Sequence, residues 1–454
     1  MASFIYPQAI LFPQVSLAKN FSYGQYPQMQ ILKYMGNKRR LLNWLVPLLE
    51  EYLDLGDTVL DLFAGTSSIG YAMKPKARII ANDIQGYSAV ISRALLQFNE
   101  QIRENDFNDT LSKYYDKNLD QLTDIFGKAI EDEQRLVNKG SFDEYKKFFL
   151  KIPIYGRGVT SDEYKLAPYF SKQFIDKRRV AKKSFPYLLF AIYYSNTFFS
   201  LKQCAEIDSL RYAIDQISDK DKQALYLSCL MFAMSKAVNS SGHFAEYLNQ
   251  NSLSAQDLLL KQRAISIVSE FQNKLLDFGN VYLQKRWENK VYNYDYKDLV
   301  KQMAKDGEIN GVKLIYIDPP YTNAQYSRFY HIPETLVRYD YPTLTLDRAK
   351  TTPVKGGYRD DRYQSSFSHT SKVEEAFQEM FGIISSSTDA TLAISYSDNS
   401  LLKPVDKLIE IASQYYEIID KKNGYNHSAQ GSRFKHNGRG NHIVNEYLLI
   451  CKRK

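Results

Sequence analysis

Apolar and polar positions along this chain follow two different periods. Short unbroken apolar runs, Val59-Leu60, Ile79-Ile80-Ala81 and Leu314-Ile315-Tyr316-Ile317, are each closed by Asp or Asn, which predicts buried strands. Two further strands are predicted at Thr391 to Asp398 and Ile443 to Cys451. Between them, apolar residues recur at helical spacing in Leu41 to Leu49, Lys297 to Met303, Leu111 to Asn138 and Leu253 to Phe278. The order of these elements predicts a doubly wound α/β sheet, built from 1–100 and 290–454, interrupted by a mostly helical insert over 101–289.

The strand ending at Ile317 delivers Asp318, Pro319, Pro320 and Tyr321 to its carboxyl end, where open α/β sheets hold ligands. These residue types suit an exocyclic amine on a flat base. Such an amine is a weak nucleophile because its lone pair is conjugated into the ring, and acceptors must draw its hydrogens out of plane. Asp318 can accept one hydrogen, and the prolines fix the backbone so that the Pro319 carbonyl can accept the other. Tyr321 offers a ring face for stacking. The alternative is a strand-terminating turn with Tyr321 in the core.

A second ligand signal lies at Thr58 to Gly70, read as strand, glycine turn and helix start, with Thr66, Ser67 and Ser68 as candidate caps. Asp61, Phe63, Ala64, Gly65 and Thr66 form the turn, and Asp83, followed by Ile84, ends the next strand at about the spacing where a carboxylate meets ribose hydroxyls. Ser67 stands where a dinucleotide fingerprint has its second glycine, and Asp61 adds negative charge. Both disfavour a pyrophosphate. S-adenosylmethionine carries a sulfonium and an ammonium but no phosphate, so the acids at Asp61 and Asp318 suit it.

With these residues in view, the chain resembles the adenine-specific amino-methylating DNA methyltransferases that carry a DPPY loop, the D12-like family. Lys33-Tyr34-Met35-Gly36-Asn37-Lys38 resembles the family's amino-terminal motif, which implies that Tyr34 and Lys38 bind the cofactor. Val291 to Tyr296 resembles the strand and acid that meet the cofactor adenine, with Asp295 accepting from its amino group and Tyr296 packing on the ring. The resemblance implies a Rossmann-like methyltransferase sheet, S-adenosylmethionine as cofactor, no metal, and methylation of adenine N6 in double-stranded DNA with the base flipped. It further implies a bacterial or phage-encoded cytoplasmic enzyme of restriction-modification or phage defence, monomeric or homodimeric, with a restriction endonuclease as possible partner. The long insert departs from the compact family pattern, so the target sequence is not legible from it. Cytosine N4 or RNA adenine methylation, and a noncatalytic DNA-binding role, stay open as alternatives.

A net charge of +8 is modest and signals nucleic acid only where it is concentrated. Lys172 to Lys183 concentrates it, with Lys177, Arg178 and Arg179 as candidate phosphate contacts, and a solvated helix face is the competing reading. A second cluster from Lys421-Lys422 to Arg439, including Arg433 and Lys435, reads as a loop before the final strand. Asn323, Gln325, Tyr326 and Arg328 follow the catalytic loop and are expected to line the target pocket. Lys350 to Ser368, with Lys355 and Arg359, has the composition of a loop that orders on DNA. Asn196, Gln203 and His243 are candidates for base contact, against the plainer reading of helix packing and capping.

The three cysteines, Cys204, Cys229 and Cys451, are far apart and lack metal-ligand spacing, so neither a disulfide frame nor a zinc site is expected. Pro7 and Pro13 interrupt the first apolar stretch, which argues against a signal peptide, and the apolar run from Tyr187 to Phe199 is too broken to cross a membrane.

Overall fold

A computed structural model describes residues 26–156, 162–249, 252–280, 286–428 and 443–454. Seven strands form one sheet: β1 (Thr58–Asp61), β2 (Arg78–Asn82), β3 (Lys290–Tyr292), β4 (Val312–Ile317), β5 (Thr391–Ser397), β6 (Tyr416–Ser428) and β7 (Ile443–Arg453), in the order β3-β2-β1-β4-β5-β7-β6. β1 to β5 run parallel, and β7 lies antiparallel between β5 and β6. Successive connections leave β1 and β4 in opposite directions across the sheet, so the crevice for a ligand opens at their carboxyl ends.

The apolar runs are explained by burial on both faces. In β4, Leu314 and Tyr316 join the hydrophobic cluster on one face, and Ile315 and Ile317 join the cluster on the other. The first cluster also contains the helical segment between β2 and β3. Its helix Ser112–Lys139 packs on Leu201–Asp215, and Lys220–Ala237 packs on both Ile267–Asn280 and Gly86–Leu96, the helix that follows β2. The segment therefore shares one continuous core with a sheet face.

Burial decides several readings. Every residue from Gln203 to Ile214 is buried. Asp208 accepts from the amides of Phe190 and Ala191, both at 2.9 Å, and from the Tyr339 phenol, while Arg211 donates to the Leu336 carbonyl at 2.9 Å. Gln203 closes a capping box with Ser200 and donates to the carbonyls of Gln262 and Ile265. Asn196 donates to the Phe149 carbonyl at 2.7 Å. Neither Asn196 nor Gln203 can reach a base edge, and the helix-packing reading of this segment holds.

Three local expectations change. Lys421 and Lys422 lie within β6, paired to β7, because the alternating residues of Tyr416 to Lys422 continue the sheet before any loop begins. Leu253 to Phe278 divides into two helices, Leu253–Arg263 and Ile267–Asn280. The stretch from Lys350 to Ser368 is not exposed throughout, since Gly356, Tyr358 and Arg359 are buried. Among the described residues no helix is long and apolar enough to cross a membrane.

Candidate active site

A cleft with about 1010 Å3 between its walls, its open mouth included, lies at the carboxyl ends of β1, β2 and β4. Tyr34, Lys38, Asp61, Phe63, Ala64, Gly65, Thr66, Asp83, Ile84, Asp295, Tyr296, Asp318, Pro319, Pro320 and Tyr321 all line it. The glycine turn and the catalytic-loop candidate, more than 250 residues apart in the chain, thus face one cavity.

The turn is held from several sides. Gly65 has φ +53°, and a Cβ there would lie 3.0 Å from the Tyr34 ring, so the residue must be glycine both for its backbone and for the ring's approach. Asp83 accepts from the Gly65 and Gln85 amides, each at 2.9 Å, which makes it the clamp of the turn as well as a wall of the cleft. Asp61 is 2 % exposed, and its Oδ1 has no hydrogen-bond partner among the described residues. Burial, then Asp318 and Asp83, push its carboxyl well above the usual range. A cationic ligand group would remove that penalty. Ser67 begins the helix Ser68–Met73 in a left-handed conformation without capping it, because its hydroxyl donates to Ser92 at 2.7 Å. Asn37 ties the amino-terminal motif to the turn, donating to Thr66 and accepting from Ser68, both at 3.2 Å.

Tyr34 stacks on Tyr330 with centroids 4.9 Å apart and leans on Tyr326 at 5.1 Å. Tyr330 accepts from the Met35 amide at 2.8 Å and donates to the Lys33 carbonyl at 3.0 Å. Residues 33–38 are thereby fastened over the turn by the segment that follows the catalytic loop.

At the other end of the cleft, Phe63, Tyr296 and Phe367 make an aromatic trio, with centroids 5.4 Å apart for Phe63 and Tyr296 and 5.6 Å for Phe63 and Phe367. Asp295 caps the helix Tyr296–Lys305 by accepting from the Lys297 amide at 3.0 Å, and accepts from Tyr363 at 3.2 Å. This is a slot for a flat apolar ring with acceptors at its edge.

Around Asp318 the charges are buried. The Lys38 ammonium, on a residue 4 % exposed, lies 3.2 Å from Asp318 Oδ1 and donates to Glu446 Oε2 at 3.3 Å and to the Tyr321 hydroxyl at 3.5 Å. Burial raises the Asp318 carboxyl to about 6, with Lys38 pulling it down and Glu446 pushing it up. Tyr396 is fully buried behind Tyr321, edge to face at 6.1 Å, so it belongs to the core rather than to the cleft.

The candidate DNA contacts divide. Asn323 and Arg328 are exposed, and Gln325 and Tyr326 line the cleft, with Gln325 accepting from the Ser365 amide at 2.9 Å. Arg328 donates to Tyr358 at 3.0 Å and Glu246 at 2.9 Å. Lys177 is exposed on the helix Lys172–Val180, Arg178 donates to Ser184, and Lys355 sits 5.0 Å over the Tyr247 ring. Arg359 corrects the expectation of a phosphate contact: it is 1 % exposed, paired with both Asp340 oxygens at 2.6 and 2.8 Å and with Asp361 at 3.0 Å, which leaves it nothing to offer DNA. Arg179 is likewise spent inside the chain, on the Tyr341 carbonyl at 2.9 Å, Asp176 at 2.8 Å and Tyr155 at 3.2 Å. His243 caps no helix; its ring meets Phe329 edge-on at 4.7 Å. Arg433 and Lys435 lie outside the described residues.

Sequence reasoning missed Glu446, Tyr363 and Phe367. Tyr330 was expected, with the rest of the polar and aromatic stretch after the catalytic loop, beside the target base, and it fastens the amino-terminal motif. Glu446 carried no signal, as an acid before an apolar run reads as a solvated strand start.

A family model described as D12 class N6 adenine-specific DNA methyltransferase matches residues 34–392, most of the chain and the helical segment included. Among curated proteins, Modification methylase LlaI of Lactococcus lactis subsp. lactis is 24% identical over 391 residues, covering 85% of this chain and 49% of that protein. Type II methyltransferase M.FokI of Planomicrobium okeanokoites is 22% identical, covering 69% of this chain and 38% of its own length. Type II methyltransferase M.NlaIII of Neisseria lactamica is 23% identical, covering 88% and 97%. The chain thus spans about half or less of the first two relatives and nearly all of the third.

Proposed function

The chain belongs to the D12 class of N6 adenine-specific DNA methyltransferases, and from that premise we propose that it methylates N6 of an adenine flipped out of double-stranded DNA, with S-adenosylmethionine as donor. The observation that carries this is the shared cleft: the glycine turn with its unpartnered Asp61 oxygen and the Asp318 loop open into one cavity at neighbouring strand ends.

The residues fit the cofactor. Asp61 and the cradle at Gly65 suit the methionine end, where Asp61 is held ready for a cation, and Phe63, Tyr296, Phe367 and Asp295 suit the adenine. S-adenosylmethionine, when bound, supplies an electrophilic methyl group on sulfur. The chain's own work is on the amine. Asp318 and the Pro319 carbonyl accept its two hydrogens, which turns the nitrogen lone pair out of the ring plane and toward the donor. Tyr321 stacks on the extruded base for about 1–3 kcal/mol, comparable with the few kcal/mol that flipping costs. Lys38 neutralises the buried acids around this point. As Asp318 titrates near 6, it is ionised and able to accept at neutral pH.

On the DNA side, exposed Lys177 and half-buried Arg178 lie on the basic helix, Gln325 and Tyr326 line the cleft with Asn323 and Arg328 exposed next to them in the chain, and Lys355 is half-buried over Tyr247. We assign the helical segment 101–289 to target recognition, and place the enzyme in a bacterial or phage-encoded restriction-modification or defence system, with a restriction endonuclease as partner.

DNA from cells expressing the protein, digested to nucleosides and weighed by mass spectrometry, is expected to contain N6-methyladenine. Long-read sequencing of the same DNA gives the position and the target motif. N4-methylcytosine in place of N6-methyladenine, or no modified base, overturns the proposal.

A further inference from the structure

We propose that Glu446 is a positioning residue: by drawing the hydrogens of Lys38 toward itself, it leaves the Asp318 carboxylate unclaimed as an acceptor for the target amine. This rests on the reading of Asp318 given above. Glu446 stands at the start of β7, opposite Ser397 at the end of β5, and is 1 % exposed. It does not line the cleft itself and accepts from Lys38, which does.

The geometry is unequal in a telling way. Lys38 lies within 3.2 Å of Asp318 Oδ1, yet its hydrogen bonds are directed at Glu446 Oε2 and the Tyr321 hydroxyl. Asp318 Oδ1 is buried and receives no hydrogen bond among the described residues. Lys38 thus supplies Asp318 with positive potential while two of its three N–H groups are directed to Glu446 and Tyr321. A lysine facing Asp318 alone would aim a charge-assisted hydrogen bond at the very lone pair the amine needs. With two carboxylates around one ammonium, Asp318 stays the stronger acceptor.

The groups facing Asp318 are Lys38 from the amino-terminal motif, Glu446 from β7, Asp61 from β1, Tyr316 from its own strand, and Tyr321 and Tyr326 from the segment beyond it. Of these, Glu446 raises the Asp318 carboxyl toward protonation and Lys38 lowers it. Removing the Glu446 charge therefore moves Asp318 downward and turns Lys38 onto it.

The test compares the intact chain with Glu446→Gln and Glu446→Asp, measuring single-turnover methyl transfer to DNA from pH 5 to 9, the affinity for S-adenosylmethionine by calorimetry, and thermal unfolding. In Glu446→Gln the acid limb of the rate profile is expected to move down by about half a unit or more and the plateau rate to fall about tenfold, with cofactor affinity kept within about twofold. Glu446→Asp keeps the charge at a longer reach and is expected to lie between the two. It carries the test by itself if the Gln variant does not fold. An unmoved acid limb with an unchanged plateau overturns the inference, as does a loss of rate that tracks equally lost cofactor affinity or stability. A wild-type chain that transfers no methyl group to any DNA overturns the underlying reading instead, so the two failures are told apart.

Discussion

Tyr326 donates its phenolic hydrogen to the main-chain carbonyl of Met35 at 3.1 Å, joining the segment that follows the catalytic loop to the segment that covers the glycine turn. Tyr330 makes two more bonds across the same seam. The wall of the base side and the cover of the cofactor side are therefore one structure.

Tyr326→Phe keeps the ring and removes that bond. A hydrogen bond of this kind contributes about 1 kcal/mol, so affinity for S-adenosylmethionine, measured by calorimetry without DNA, is expected to weaken about fivefold. Gly36→Ala tests the same seam from the other side: its φ is +71°, and a Cβ would come within 2.9 Å of the Tyr326 hydroxyl. Affinity unchanged in both variants would uncouple the cover from the cofactor.

Arg359 is expected to matter for stability and not for DNA. Arg359→Met removes the buried guanidinium that joins Asp340 to Asp361, leaving Arg338 as their remaining cation, and should lower unfolding free energy by about 1–3 kcal/mol, read from denaturant titration. The folded fraction should keep the wild-type dependence of DNA affinity on salt. A flattened salt dependence would return Arg359 to the interface.

Lys177 is the converse case, exposed and on the basic helix. Lys177→Ala should reduce the slope of log affinity against log salt by about one, on target and non-target DNA alike. An unchanged slope removes this helix from the DNA-binding face.

His331 is fully buried, its Nε2 2.9 Å from the Phe244 carbonyl and its Nδ1 without a partner among the described residues. Burial holds it down at about 3 against 6.5 when free, so it stays neutral in the fold while the unfolded chain takes up a proton below 6.5. Its contribution is complete above 6.5 and is lost as pH falls from there toward 3. The stability advantage of wild type over His331→Gln, from denaturant midpoints at matched pH, should shrink by about 1.4 kcal/mol per pH unit below 6.5. Asp208, lifted to about 7 by burial, has the opposite sign but cancels in the difference. A gap independent of pH would mean the buried imidazole is charged.

Much of the sheet was legible because a strand covered on both faces must be apolar throughout, and Val59 to Leu60, Ile79 to Ala81 and Leu314 to Ile317 are each followed by the residue that shapes the cleft. The glycine turn was legible because a strand, a glycine and a helix start follow one another there, and the structure requires Gly65 for its backbone and for the approach of the Tyr34 ring. Basic residues were the least legible. Arg359 and Arg179 look like Lys177 in the sequence, and only the positions of Asp340, Asp361, Tyr341 and Pro342 show that two of the three are bound internally. Glu446 was silent because its partner, Lys38, lies 408 residues away, a pairing no local pattern encodes.

The most direct test is Asp318→Ala, assayed for single-turnover methyl transfer at saturating S-adenosylmethionine and for cofactor affinity in the same preparation. Removing the acceptor should lower the transfer rate by about a hundred- to a thousandfold, comparable with losing one preorganised acceptor or donor in an electrostatic site, while affinity stays within about threefold. Transfer within tenfold of wild type would show that the amine is oriented by something other than Asp318.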